Sequence, residues 1–129
     1  MVAVDTNVVL RLLIEDDPQQ AERARHLLET ETFYLPLTVV LETYWVVHNV
    51  YRYSHEATIA ALKAFVALPG VEVEHPGRLA AAIAWAEGAM GFADALHLAA
   101  TPPGEGFASF DTNLIRLARQ AGGPRAFAP

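Results

Sequence analysis

Short apolar segments that read as strands alternate with segments of helical periodicity along the whole chain, and this alternation constrains the fold more than any other feature. Met1–Val4 is an apolar run at the start. Asn7–Ile14 carries Val8, Val9, Leu12 and Leu13 at helical spacing. Asp17-Pro18 opens a second helix, with an acceptor at the cap and proline in the first position, and this helix runs to about Leu28. Phe33-Tyr34-Leu35 is a second strand closed by Pro36, and Leu37–Val50 is a strongly apolar helix. Ser54 caps the next helix, which runs to about Leu68 and is ended by Pro69-Gly70. Val71–Glu74 alternates as a third strand, and an alanine-rich helix follows from Pro76 or Gly77 to about Ala89. Gly91 breaks that helix, and Phe92–Ala100 resumes as another. Phe107–Phe110 is a fourth strand, Thr112–Ala121 a helix ended by Gly122-Gly123, and Arg125–Phe127 a marginal fifth strand. No linker, tandem repeat or low-complexity tract interrupts the pattern. Strand–helix alternation of this kind implies an α/β fold whose parallel sheet is covered on both faces. Chemistry in such folds sits just beyond the carboxyl ends of the strands.

The chain is 129 residues long, enough for one domain with a real core and no covalent staples, so residues 1–129 are expected to form a single domain. With no cysteine, a disulfide framework, a thiolate zinc site and cysteine nucleophilic catalysis are all excluded, and a reducing cytoplasm fits. No apolar run reaches the length of about 18 residues that a membrane span needs. The start, Met1-Val2-Ala3-Val4, has neither the basic region nor the cleavage site of a signal peptide. A net charge of −6 argues against gripping long nucleic acid through a broad basic surface.

The carboxylates hold the chemical information. Asp5 follows the first strand and Asp111 the fourth, and each opens the same tripeptide, Asp-Thr-Asn, directly before a helix. If both strands are central and parallel, both carboxylates emerge at one edge of the sheet. A helix cap explains an aspartate at each position, but capping does not call for the same Thr-Asn pair afterwards. Glu42 lies inside the most apolar helix, where Thr38, Val39, Trp45 and Val46 surround it at helical spacing and none is basic. Asp94 likewise has no lysine or arginine within helical reach, and its ordinary role would be to cap the following turn.

Four such acids in one place would repel one another by about 4 kcal/mol per close pair at an effective dielectric near 20, unless protons or a cation intervene. Oxygen-only donors select a hard cation, Mg²⁺ or Mn²⁺. Such an ion binds phosphate oxygens and activates water, so phosphodiester hydrolysis is the natural reaction.

With these motifs in order, the chain resembles the PIN-domain family and, within it, the VapC ribonuclease toxins of toxin–antitoxin modules. The resemblance rests on Val4-Asp5-Thr6-Asn7, on Glu42, on Phe92-Ala93-Asp94-Ala95-Leu96-His97-Leu98-Ala99 and on Ser109-Phe110-Asp111-Thr112-Asn113-Leu114. The acids are separated by 37, 52 and 17 residues, in the family's order. It implies an α/β/α sandwich with a mainly parallel sheet of about five strands. It implies Asp5, Glu42, Asp94 and Asp111 around one or two Mg²⁺ ions, with Thr6 or Asn7 orienting Asp5 and with Thr112 and Asn113 as polar supporters of Asp111. It further implies RNA cleavage by metal-activated water, a homodimer, and a small cognate VapB-like antitoxin. The family often has a further acid where this chain has Asn113, which bears on the second metal position.

Arg11, Arg116 and Arg119 lie on the helices that follow the two Asp-Thr-Asn turns and are the candidate RNA contacts, although each also serves as an ordinary solubilising charge. His97, one turn after Asp94, is expected in the core or behind the site. Tyr44, Trp45, Tyr51 and Tyr53 are expected mainly in packing, with base stacking as the other reading. The competing functions are a housekeeping RNA-processing nuclease of the same fold, an inactive scaffold of that fold, and a phosphatase that forms an aspartyl-phosphate. The phosphatase would want a second aspartate where this chain has Asn7.

Overall fold

A computed structural model describes residues 1–129. Seven α-helices and five strands alternate as the periodicity predicts, and every strand pairing is parallel. The chain divides into two compact units, Met1–Pro76 and Gly77–Pro129. No helix is long and apolar enough to cross a membrane.

The first unit contains β1 (Val2–Ala3), α1 (Thr6–Leu13), α2 (Pro18–Thr30), β2 (Phe33–Leu35), α3 (Leu37–Trp45), α4 (His55–Val66) and β3 (Val71–Val73). Its sheet has the order β1-β2-β3, with Val2 opposite Phe33 and Phe33 opposite Val71. The side chains of Val9, Phe33, Leu35, Val40, Val47 and Leu62 are almost wholly buried and form its core. Asp17 caps α2 by accepting the amide of Gln20 at 3.1 Å, with Pro18 at the first helical position as expected. Pro36 precedes α3 and has no acceptor side chain, so Glu74 supplies one from beyond β3, accepting the Leu37 amide at 3.0 Å.

The apolar stretch Leu37–Val50 is not one uniform α-helix. After Trp45 it widens into a π-helical segment, Val46–Val50, in which the Tyr51 amide reaches back to the Val46 carbonyl at 3.1 Å. Apolar periodicity does not distinguish this winding from an α-helix, because the same residues are buried in either over so short a run.

The second unit contains α5 (Pro76–Glu87), whose first residue closes the first unit, then α6 (Phe92–Ala99), β4 (Gly106–Ala108), α7 (Thr112–Ala121) and β5 (Arg125–Phe127). Leu79, Ala82, Phe92, Leu98, Ala118 and Ala126 are among its most deeply buried residues. Strands β4 and β5 pair with each other alone, so the five strands are shared between a three-stranded and a two-stranded sheet. The two Asp-Thr-Asn turns therefore leave strands of different hydrogen-bonded sheets, and β1 is an edge strand of its own. Strand β4 also ends before the expected Phe110. The hydroxyl of Ser109 accepts the Asp111 amide at 3.0 Å, and this local turn draws the chain out of the ladder. Gly122 ends α7 in the left-handed conformation, at φ 69°, that a glycine adopts without strain.

Candidate active site

The chain leaves β1 directly into α1, and Asp5 stands at that junction. Its backbone is extended, and its Oδ1 accepts the Val8 amide at 3.2 Å. The ordinary capping role is thus real, but it uses one carboxylate oxygen and leaves Oδ2 without a hydrogen bond. Thr6, the first residue of α1, is buried, and its hydroxyl donates to Oε1 of Glu42 on α3. Thr6 therefore fixes Glu42 and not Asp5. It ties together acids that are distant in sequence and adjacent in the fold.

Asp5, Thr6, Asn7, Arg11, Glu42 and Tyr51 line one cavity of about 370 Å³. Val46 and Val50 line it as well. They lie one and two turns beyond Glu42, and the π-helical winding sets their register. Opposing charge is supplied at the rim. The Arg11 guanidinium lies 3.5 Å from Asp16 and donates to Gln20, and the Tyr51 hydroxyl donates to the other oxygen of Asp16 at 2.9 Å. The hydrogen bond to Asp16 raises the Tyr51 phenol above its usual pKa, with burial and the Asp16 charge adding and Arg11 opposing. The sequence marks Tyr51 only as a packing or base-stacking aromatic and does not link it to Asp16. They are 35 residues apart, and no local pattern links them.

In the second unit Asp111 repeats the geometry of Asp5. It caps α7, its Oδ1 accepting the Leu114 amide at 3.0 Å. Asp94 lies in the first turn of α6, where its charge is favourable to the helix dipole, but it accepts no helix amide; Gly91 is the cap residue. The expected capping role therefore does not account for Asp94. None of Asp5, Glu42, Asp94 and Asp111 is held in an ion pair with arginine or lysine.

The donor chemistry fits a hard divalent cation. Mg²⁺ is held by one or two carboxylates and retains several waters. Asp5 and Glu42 bring two carboxylates to one cavity, each with an oxygen not engaged by the protein. Within either unit, no three His, Asp or Glu side chains are close enough to hold an ion by themselves.

Compared with known families, residues 2–120 match the PIN domain. The chain belongs to the PIN domain family. PIN domains are generally nucleases, which supports a hydrolase acting on nucleic acid. No curated protein and no solved structure matches the chain.

The supporting residues of this PIN domain are arranged less symmetrically than the repeated tripeptide implies. Asn7 borders the cavity at Asp5, whereas Asn113 accepts a hydrogen bond from Arg116. Thr6 is buried against Glu42, whereas Thr112 is exposed and lines a second cavity of about 430 Å³ with Arg116 and Arg119. Arg11 is half-buried and engaged by Asp16 and Gln20, while Arg116 and Arg119 are exposed. His97 is exposed, not in the core, because α6 turns Ala95, Leu96 and Leu98 inward. Of the aromatic residues, Trp45 and Tyr53 are exposed, while Tyr44 is half-buried with its hydroxyl 2.6 Å from Nδ1 of His55.

Proposed function

We propose that this PIN domain is a Mg²⁺-dependent endoribonuclease, with Asp5, Glu42, Asp94 and Asp111 as its catalytic acids and Mn²⁺ as a substitute ion. The observation that carries the reading is the pairing of Asp5 with a Thr6-anchored Glu42 at one cavity, in a chain of a nuclease family. When bound, the ion supplies Lewis-acid stabilisation of phosphate charge and a water nucleophile near neutral pH. The protein's own part is positional. Thr6 holds the Glu42 carboxylate in one orientation, and the α1 cap holds that of Asp5. Val46 and Val50 border the cavity with apolar surface. Arg116 and Arg119 are exposed cations suited to backbone phosphates.

The proposal extends to biology: the toxin of a type II toxin–antitoxin pair, acting as a homodimer in the cytoplasm and restrained by a VapB-like antitoxin. Order and spacing of the acidic motifs support it. Purified protein should cleave RNA with Mg²⁺ and stop on addition of EDTA. Asp5→Asn combined with Asp94→Asn should abolish cleavage while the circular dichroism spectrum stays that of the parent. Cleavage by this double variant at the parent rate would remove the site assignment. A neighbouring reading frame that encodes a DNA-binding head and a basic tail would support the toxin role.

A further inference from the structure

We infer that Phe110 is a stacking platform for a base of a single-stranded RNA substrate, in the turn that carries Asp111; this rests on the nuclease reading above. Phe110 is the most exposed large apolar side chain of the protein, at 83%, whereas Phe33, Phe65 and Phe92 are almost fully buried. A phenyl ring left in water is ordinary when isolated, so exposure alone does not decide its role. Its setting does.

The backbone on both sides is fixed. The Ser109 amide donates to the Phe127 carbonyl at 3.0 Å, the Asp111 amide donates to the Ser109 hydroxyl at 3.0 Å, and Asp111 then caps α7. The ring is therefore carried by a rigid turn, and binding a flat partner would order little backbone. The surroundings match a nucleotide better than a protein. Leu114 and Ile115, the apolar residues that follow, are buried. The exposed neighbours are Asp111, Thr112, Asn113 and Arg116. Arg116 donates to Asn113, which holds its guanidinium at the first turn of α7, the helix that follows the Phe110 turn. Arg116 and Arg119 also line the same cavity along that helix. An aromatic face with cations along one path is the arrangement by which single strands are held without base-edge readout.

The test uses the full chain and a 12-nucleotide oligouridylate, with EDTA present so that binding is read without cleavage. Phe110→Ala and Phe110→Leu should each weaken binding about tenfold or more in fluorescence anisotropy, the loss expected when one stacked base is released. Phe110→Trp should retain affinity, and its emission should be quenched on addition of the oligonucleotide. With Mg²⁺, Phe110→Ala should raise KM and leave kcat near that of the parent. If the parent cleaves RNA while Phe110→Ala matches it in affinity and KM, the platform is refuted and the nuclease reading stands. If the parent does not cleave but the tryptophan is quenched and Phe110→Ala binds weakly, the platform stands and the nuclease reading falls. A Phe110→Ala effect on sedimentation alone, with RNA affinity unchanged, would assign the ring to a protein contact and overturn the inference.

Discussion

Asp5 and Asp111 each cap a helix, and each is proposed to act in catalysis. Substitution by serine separates these roles. Serine keeps a short acceptor at the cap, and serine and aspartate are near-equal there, whereas alanine removes it at about 1 kcal/mol. Asp17 is the internal standard. It caps α2 with the same geometry, at 3.1 Å against 3.2 Å for Asp5 and 3.0 Å for Asp111, and it lies outside the candidate site. Asp17→Ala should therefore lower stability by about 1 kcal/mol, which for a chain of this size is a fall in Tm of roughly 4 °C. Its RNA cleavage should be that of the parent.

Asp5→Ser and Asp111→Ser retain the cap hydrogen bond and lose only the favourable charge at the helix start, about 0.3–1 kcal/mol for an exposed group. For Asp5, removing a charge beside Glu42 offsets part of that loss when no cation is bound. Both serine variants should melt within about 4 °C of the parent and yet fail to cleave. Asp5→Ala and Asp111→Ala should fail at both. The assay is thermal denaturation followed by circular dichroism, alongside cleavage of a labelled RNA at a temperature where all variants are folded. If the serine variants cut at the parent rate, helix capping is the whole function of both aspartates and the chemistry lies elsewhere.

Thr6→Val and Glu42→Ala should be non-additive. Their double-mutant cycle should give a coupling of about 1 kcal/mol in denaturant unfolding, and additivity within about 0.3 kcal/mol would show that the hydrogen bond contributes nothing. The Thr43 hydroxyl is buried on α3 with no hydrogen-bond partner. Thr43→Val should therefore stabilise the fold by about 1 kcal/mol, read as a higher urea midpoint at unchanged slope; a loss of stability would show that the hydroxyl has a partner. Tyr51 has a raised pKa in the folded protein, chiefly because its hydroxyl donates to Asp16. The native state thus holds this proton more tightly than the unfolded chain. The resulting stability is complete below the ordinary tyrosine pKa of about 10 and is lost as pH rises through the higher folded value. Comparison of parent and Tyr51→Phe melting across alkaline pH should show their difference shrinking over that range, and a constant difference would contradict the hydrogen bond. Gly106→Ala would place a Cβ 2.9 Å from the Phe127 ring and so should weaken the β4–β5 pair, seen as faster amide exchange at Ser109.

The elements that could be read from sequence are those specified by local chemistry. Strand β2 and helix α7 have the expected bounds because Pro36 stops one and the Asp111 cap with Gly122 brackets the other. What could not be read depends on partners far along the chain. The π-helical turn at Val46–Val50 has the same apolar pattern as the helix before it. The Glu74 cap on α3 comes from 37 residues away, and the early end of β4 reflects a single serine hydroxyl. Division of the strands between two sheets is a property of pairing, which hydropathy does not encode.

The repeated Asp-Thr-Asn tripeptide shows how one local signal can serve two ends. In both copies the aspartate leaves a strand and caps a helix, because those steps depend on the residue and its neighbours alone. The next two residues diverge because their surroundings differ. Thr6 is buried and holds Glu42, so the first copy builds an acidic pair whose orientation is set from behind. Thr112 and Asn113 are exposed, and Asn113 engages Arg116, so the second copy holds a cation at its asparagine and an uncovered phenyl ring ahead of its aspartate. Carboxylates oriented for a cation suit the scissile phosphate, while an arginine and an aromatic face suit the strand that carries it. On this reading the first copy chiefly serves kcat and the second also serves KM. Substitutions of Thr6 and of Arg116 should therefore separate in steady-state kinetics; if both changed the same constant, the asymmetry seen in the fold would have no functional counterpart.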